Sequence, residues 1–95
     1  MYDKLYKIKS HTKQLNMEKS EIIARVKKVV GEVLEIPESE IADDANFIFD
    51  LGANSMQSVL LVGAFEEEFD IEMDEDKALE VQNIADAAQF IGGYL

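Results

Sequence analysis

The residues best placed to do chemistry lie in the stretch Asp50-Leu51-Gly52-Ala53-Asn54-Ser55-Met56. Gly52 admits a turn conformation closed to other residues and Asn54 is a preferred helix N-cap, so the pattern sets Ser55 on the first turn of a helix. Unpaired backbone amides and the positive end of the helix dipole gather there and favour an attached anion, which makes a phosphate ester on Ser55 well placed. By itself the pattern establishes only a helix start. The rest of the chain offers no acid/base pair of known geometry, no Ser/His/Asp set, no glycine loop that cradles phosphate and no metal cluster. His11 is the only histidine and there is no cysteine. The chain therefore has no thiolate of its own, and any sulfur chemistry must use an added group. Residues 70–80 carry acidic side chains at 70, 72, 74 and 76 in the manner of a calcium loop. With Asp70 as the first loop position, however, Glu75 stands where glycine is needed and Val81 where the bidentate glutamate belongs.

The elements that must position Ser55 follow from apolar spacing. From about Met17 to Leu34, the residues Ile22, Ile23, Val26, Val29, Val30, Val33 and Leu34 recur at helical intervals, with Asn16 or Ser20 as candidate caps. Residues 35–54 then form a long connection with buried-type anchors at Ile36, Ile41, Phe47, Ile48 and Leu51, so it is expected to be packed. The second helix, from Ser55 to about Phe69, has two apolar groups. Leu61, Val62, Phe65 and Phe69, with Ser58 among them, make a core stripe, whereas Met56, Val59, Leu60 and Gly63 lie opposite. A small domain has little left to cover the second group, which points to a partner surface; Gly63, costly in a helix interior, fits the close approach of another chain. Glu66, Glu67 and Glu68 read either as a solvated run or as steering for a basic partner. A short helix is expected around Asp74–Leu79, with Ile71, Met73, Leu79 and Val81 turned inward. Asn83 can cap a last helix with Asp86 at its third position; Ile84, Ala87, Ala88 and Ile91 supply the core face, and Gly92 and Gly93 end it. The sum is an all-α four-helix bundle with three longer helices and one short one, and a long packed loop between the first and second.

The chain has 95 residues and suits one small domain. Nine basic residues against twenty acidic ones leave a net charge of −11, which argues against nucleic acid or an anionic membrane and for a basic protein surface as partner. Eight of the nine basic side chains fall within residues 1–28, facing Asp3, Glu18 and Glu21; beyond them only Lys77 is basic. Residues 1–16 read as a basic extension that frays, and residues 17–95 as the folded domain. No apolar run reaches membrane-spanning length and no secretory signal is legible, so the cytoplasm is the expected compartment.

From about Met17 to Gly92 the chain resembles an acyl carrier protein of the discrete bacterial type. The resemblance is carried by Arg25-Val26-Lys27-Lys28-Val29-Val30, Ala45-Asn46-Phe47-Ile48, the Asp50–Met56 stretch, and Ala64-Phe65-Glu66-Glu67-Glu68-Phe69-Asp70, in the family's order. It implies that Ser55 stands where 4'-phosphopantetheine is attached by a separate phosphopantetheinyl transferase using coenzyme A. It also implies that the domain catalyses nothing, and that it carries acyl groups as thioesters to the acyl-transfer and condensing enzymes of fatty acid or related lipid and polyketide synthesis. A monomer with partners presenting basic surfaces is expected. The recognition surface implied is Asn54, Met56, Val59, Leu60, Gly63, Glu66 and Glu67. The family's acyl cavity makes Phe47, Leu61, Val62, Phe65, Ile71, Val81, Ile84, Ala88 and Ile91 candidate lining residues, for each of which ordinary core packing is an equally good account.

The chain also departs from the family. Asp-Ser-Leu is usual at the attachment site and Asn54-Ser55-Met56 stands here, while Gln57, Leu60 and Phe49 occupy commonly acidic positions. This surface is less charged and more apolar than usual, which suggests a specialised carrier with dedicated partners. A peptidyl or aminoacyl carrier and an unmodified helical interaction domain are the rival readings.

Overall fold

The long apolar repeat of the first helix and the core stripe of the second meet face to face. The computed structural model describes residues 17–95. Its elements are α1 (Lys19–Leu34), a 3-10 turn (Glu38–Glu40), α2 (Ser55–Phe69), the short α3 (Glu75–Leu79) and α4 (Ile84–Gly92). The fold is all-α, three longer helices and one short, as the periodicity requires. The helix α1 packs against both α2 and α4, and α3 lies against α2. The expected extension at residues 1–16, and with it the Asn16 cap, lies outside the described residues.

The core lies where the helical spacing directs it. Ile22, Val26, Val29 and Val30 of α1, Leu61, Phe65 and Phe69 of α2, and Ile84, Ala87, Ala88 and Ile91 of α4 are buried in one cluster. Each large side chain removed from water contributes about 1.5–3 kcal/mol. Phe69 is additionally capped by the Arg25 guanidinium, 4.6 Å from its ring centroid, while Arg25 donates to Glu68 Oε2 at 2.8 Å and to the Glu68 carbonyl. This cluster locks α2 to α1.

Both long helices end in a left-handed residue that is not glycine, Glu35 at φ 59° and Asp70 at φ 55°. In each case the next amide reaches back to close the helix, Ile36 N–H to Gly31 O and Ile71 N–H to Glu66 O. Gly31 permits the first of these reversals, because a Cβ on it would lie 2.7 Å from the Ile36 carbonyl oxygen.

Several sequence expectations need correction. The helix α1 begins at Lys19, two residues later than Met17, with Glu18 as an N-cap that makes no side-chain bond; Ser20 is inside the helix. Ile41 and Phe47 of the long connection are buried, and Ile36 and Leu51 pack partly on the core, but Ile48 is 57% exposed. Its backbone is turned outward by Asn46, whose side chain accepts from the amides of both Ile48 and Phe49 at 2.9 Å. Leu79, the last residue of the five-residue α3, is likewise 42% exposed. Asn83 caps α4 as expected, accepting from the Asp86 amide at 2.8 Å, and Asp74 caps α3.

Candidate functional site

The turn that delivers Ser55 is built from the Asn46 side chain and backbone. Asn46 N–H donates to Asp50 Oδ2 at 2.8 Å, and the Asn46 carbonyl accepts from the amides of Asp50 and Leu51. Phe47 N–H donates to Gln82 O, Ala53 N–H to Phe47 O and Ile84 N–H to Ala45 O, so this loop is stitched to the start of α4 as well as to itself. Gly52 turns the chain at φ 74°, a conformation that costs an L side chain about 1–2 kcal/mol. Ala53 is buried as the anchor immediately before the helix. The result is a rigid approach to α2.

Asn54 then opens the helix with a reciprocal cap. Its Oδ1 accepts from the Gln57 amide at 2.8 Å, and its own amide donates to Gln57 Oε1 at 3.0 Å. Ser55 follows as the first helical residue, exposed to solvent. Its hydroxyl makes no hydrogen bond among the described residues, nor do the amides of Ser55 and Met56. The nearby Ser58 hydroxyl differs, since it donates to the Asn54 carbonyl at 3.1 Å. A reachable free hydroxyl beside two free amide donors suits a phosphodiester attached at Ser55.

The outward face of α2 carries Met56, Val59, Leu60 and Gly63, all exposed, and nothing lies within 4 Å of where a Gly63 Cβ would be. The three glutamates that follow are not equivalent. Glu66 is half-buried and accepts from the Met73 amide at 2.8 Å, fixing the turn into α3. Glu68 takes Arg25 and, at 3.3 Å, Lys28. Burial of Glu68 acts to raise its pKa, but the hydrogen bonds and charges of Arg25 and Lys28 together outweigh it and hold the carboxyl below its ordinary value. Lys27 pairs with Asp43. Only Glu67 of the three is fully presented to solvent.

A cavity of about 260 Å³ opens beside the Asn46 turn that leads to Ser55. Of the lining candidates, Phe47, Leu61, Val62, Phe65, Val81 and Ile91 border it. Ile71, Ile84 and Ala88 do not: Ile84 and Ala88 are sealed in the core behind it, and Ile71 packs against the core edge. Sequence reading placed Met73 and Ala87 inward without singling out a cavity, and passed over Phe90, which is half-buried and lines it. It also missed Ile48, Phe49 and Leu79, exposed apolar residues that line the cavity where it meets solvent.

Comparison with known proteins gives a consistent answer. A family model described as "Phosphopantetheine attachment site" matches residues 24–91. The acyl carrier protein of Caulobacter vibrioides (strain NA1000 / CB15N) is 49% identical over 72 residues, covering 76% of this chain and 92% of the relative. The acyl carrier protein of Phenylobacterium zucineum (strain HLK1) is 47% identical over 72 residues, covering 76% and 91%. The chain belongs to the acyl carrier protein family. Membership implies a covalently attached 4'-phosphopantetheine, a carrier role, and dealings with a transferase and with biosynthetic enzymes. No helix among the described residues is long and apolar enough to cross a membrane.

Proposed function

We propose that Ser55 is the attachment point and that this chain holds acyl intermediates as thioesters, without catalysing their formation, for enzymes of fatty acid or related lipid or polyketide synthesis. The observation that carries the proposal is the Ser55 hydroxyl, exposed and unengaged on the first turn of α2, with Asn54 and Gln57 closing the cap around it. The phosphopantetheine thiol supplies the thioester chemistry that a cysteine-free chain lacks. The protein's own residues fix where that arm would start: the Asn46 turn and the Asn54–Gln57 cap hold the serine in place, and the first-turn amides of Ser55 and Met56 would be available to a phosphate there.

Recognition is assigned to Asn54, Met56, Val59, Leu60, Gly63 and Glu67, with the Glu66 carboxylate occupied internally. The centre of this face is apolar and its charge is peripheral. Partners therefore meet it with an apolar patch flanked by basic side chains, and this favours a carrier with dedicated partners over a general one.

The test is to convert the purified chain with coenzyme A and a broad-specificity phosphopantetheinyl transferase, then compare its processing by general fatty-acid-synthase enzymes with that of a standard carrier. The proposal expects loading with an acyl thioester, and slower handling by the general enzymes. Equal rates overturn the specialised role, and acceptance of aminoacyl groups alone overturns the acyl role.

A further inference from the structure

The outward stripe of α2 is apolar along most of its length and acidic at its C-terminal end. Met56 is 74% exposed, Leu60 55% and Val59 46%, and one turn beyond Gly63 the stripe passes to the exposed Glu67 and Asp70. Apolar side chains gathered on one face and left in water are a cost unless something lies against them. Glu67 and Asp70 pair with no cation among the described residues, the nearby Arg25 and Lys28 being taken by Glu68. The face therefore calls for a cover that is apolar at one end and basic at the other. Residues 1–16 carry that order. Tyr2, Leu5, Tyr6 and Ile8 fall in the first half and Lys9 and Lys13 in the second, with Asp3 the single acidic residue. The chain enters the packed body at Met17, whose sulfur lies 3.8 Å from Arg25 Nη1, and Arg25 is held by Glu68. The basic half is thus tethered beside the acidic end of α2. Sixteen residues cover about 24 Å at helical rise and about 50 Å when extended, against about 22 Å for the whole of α2, so the apolar half reaches Met56.

We propose that residues 1–16 dock along the outward face of α2 in the same chain, Tyr2, Leu5 and Tyr6 toward the apolar stripe and Lys9 and Lys13 toward Glu67 and Asp70, so that a partner must displace them. The displacement clause rests on the reading of this face as the recognition surface; the docking itself does not. A segment tethered at Met17 meets α2 at an effective concentration on the order of millimolar, so weak contacts suffice to hold it and a partner still removes it. A second copy of the chain has no such advantage and brings a further charge of −11. Nothing lies within 4 Å of where a Gly63 Cβ would be, which leaves the helix backbone open to close approach by an aromatic ring. The segment acts as an internal stand-in for the partner, matching the apolar and the acidic parts of the face together.

The experiment places a nitroxide on Ser10→Cys in the full chain, which has no cysteine of its own, and compares backbone amide NMR intensities before and after reduction of the label. The amides of Leu60 and Gly63 are expected to lose at least half their intensity, and the loss to weaken at high salt as the lysine contacts are screened. Adding Tyr2→Ser, Leu5→Ser and Tyr6→Ser is expected to restore the signals. All of these positions precede Met17, so the packed body is untouched. Signals at Leu60 and Gly63 that match the rest of the surface, or a loss that the triple substitution leaves in place, overturn the docking. A loss that vanishes on dilution assigns the contact to another copy and overturns it as well. With coenzyme A and a broad-specificity transferase, the unlabelled triple variant is expected to be modified about threefold faster than the parent, because its α2 face is no longer covered. An unchanged rate beside intact docking overturns the displacement clause and with it α2 as the transferase's contact. Failure of both chains to gain mass contradicts the Ser55 reading, a result distinct from loss of docking.

Discussion

Asn54 and Gln57 hold one another across Ser55, each side chain accepting from the other's backbone amide, at 2.8 and 3.0 Å. Two of the four amides that a helix start leaves unpaired are thereby fixed, Gln57 N–H by Asn54 Oδ1 and Asn54 N–H by Gln57 Oε1. The amides of Ser55 and Met56 stay free. An aspartate and a glutamate could fill the same two places, but the amide pair does so without adding charge to the α2 face.

The first prediction concerns that pair. Asn54→Ala is expected to lower unfolding free energy by about 1 kcal/mol, and Gln57→Ala by less, since it removes only the return bond. Asn54→Asp keeps the acceptor and is expected to leave stability within about 0.5 kcal/mol of the parent. Urea denaturation curves measure all three. Equal stability of Asn54→Ala and the parent would show that the cap contributes nothing.

Two glycines give opposite expectations. Gly52 sits at φ 74° with nothing within 4 Å of where a Cβ would lie, so Gly52→Ala is resisted by backbone strain alone and is expected to cost about 1–2 kcal/mol. Gly63 lies mid-helix on the open face, and Gly63→Ala is expected to stabilise by about 0.5–1 kcal/mol. If a partner approaches closely there, the same substitution slows the partner enzymes while raising the thermal midpoint. Calorimetry paired with a loading assay separates the two effects.

The Glu68 site makes stability depend on pH. Its folded pKa lies below its ordinary value, so its contribution is fully present above about 4.5 and is lost as pH falls through the lower folded value. Glu68→Gln is therefore expected to destabilise by about 1 kcal/mol at neutral pH, allowing for the partly exposed Arg25 and Lys28, with the gap to the parent narrowing in acid below about pH 4. Chemical denaturation across that range checks it. A gap constant with pH would assign the loss to something other than the Glu68 charge.

Much of this architecture is written locally. The stripe Leu61, Val62, Phe65 and Phe69, the Asn83–Asp86 cap, the Gly52 turn and the start of α2 at Ser55 all follow from spacing or from residue type within a few positions. Other features depend on partners distant in sequence or on a side chain that overrides its neighbours. Glu66 and Glu68 look like one solvated run with Glu67 until Met73 and, 43 residues away, Arg25 claim them. Ile48 has the residue type of a core anchor, but Asn46 binds its amide and turns it to the cavity mouth. The Asn54–Gln57 cap is legible in principle, from a capping residue followed three places later by glutamine. Treating Gln57 only as a lost acidic contact obscures it.

The most direct measurement is the intact mass of the parent, Ser55→Ala and Ser58→Ala chains after incubation with coenzyme A and a broad-specificity transferase. Parent and Ser58→Ala are expected to gain one phosphopantetheine increment, and Ser55→Ala none. An increment on Ser55→Ala, or none on a folded parent, would contradict the assignment of Ser55 as the point of attachment.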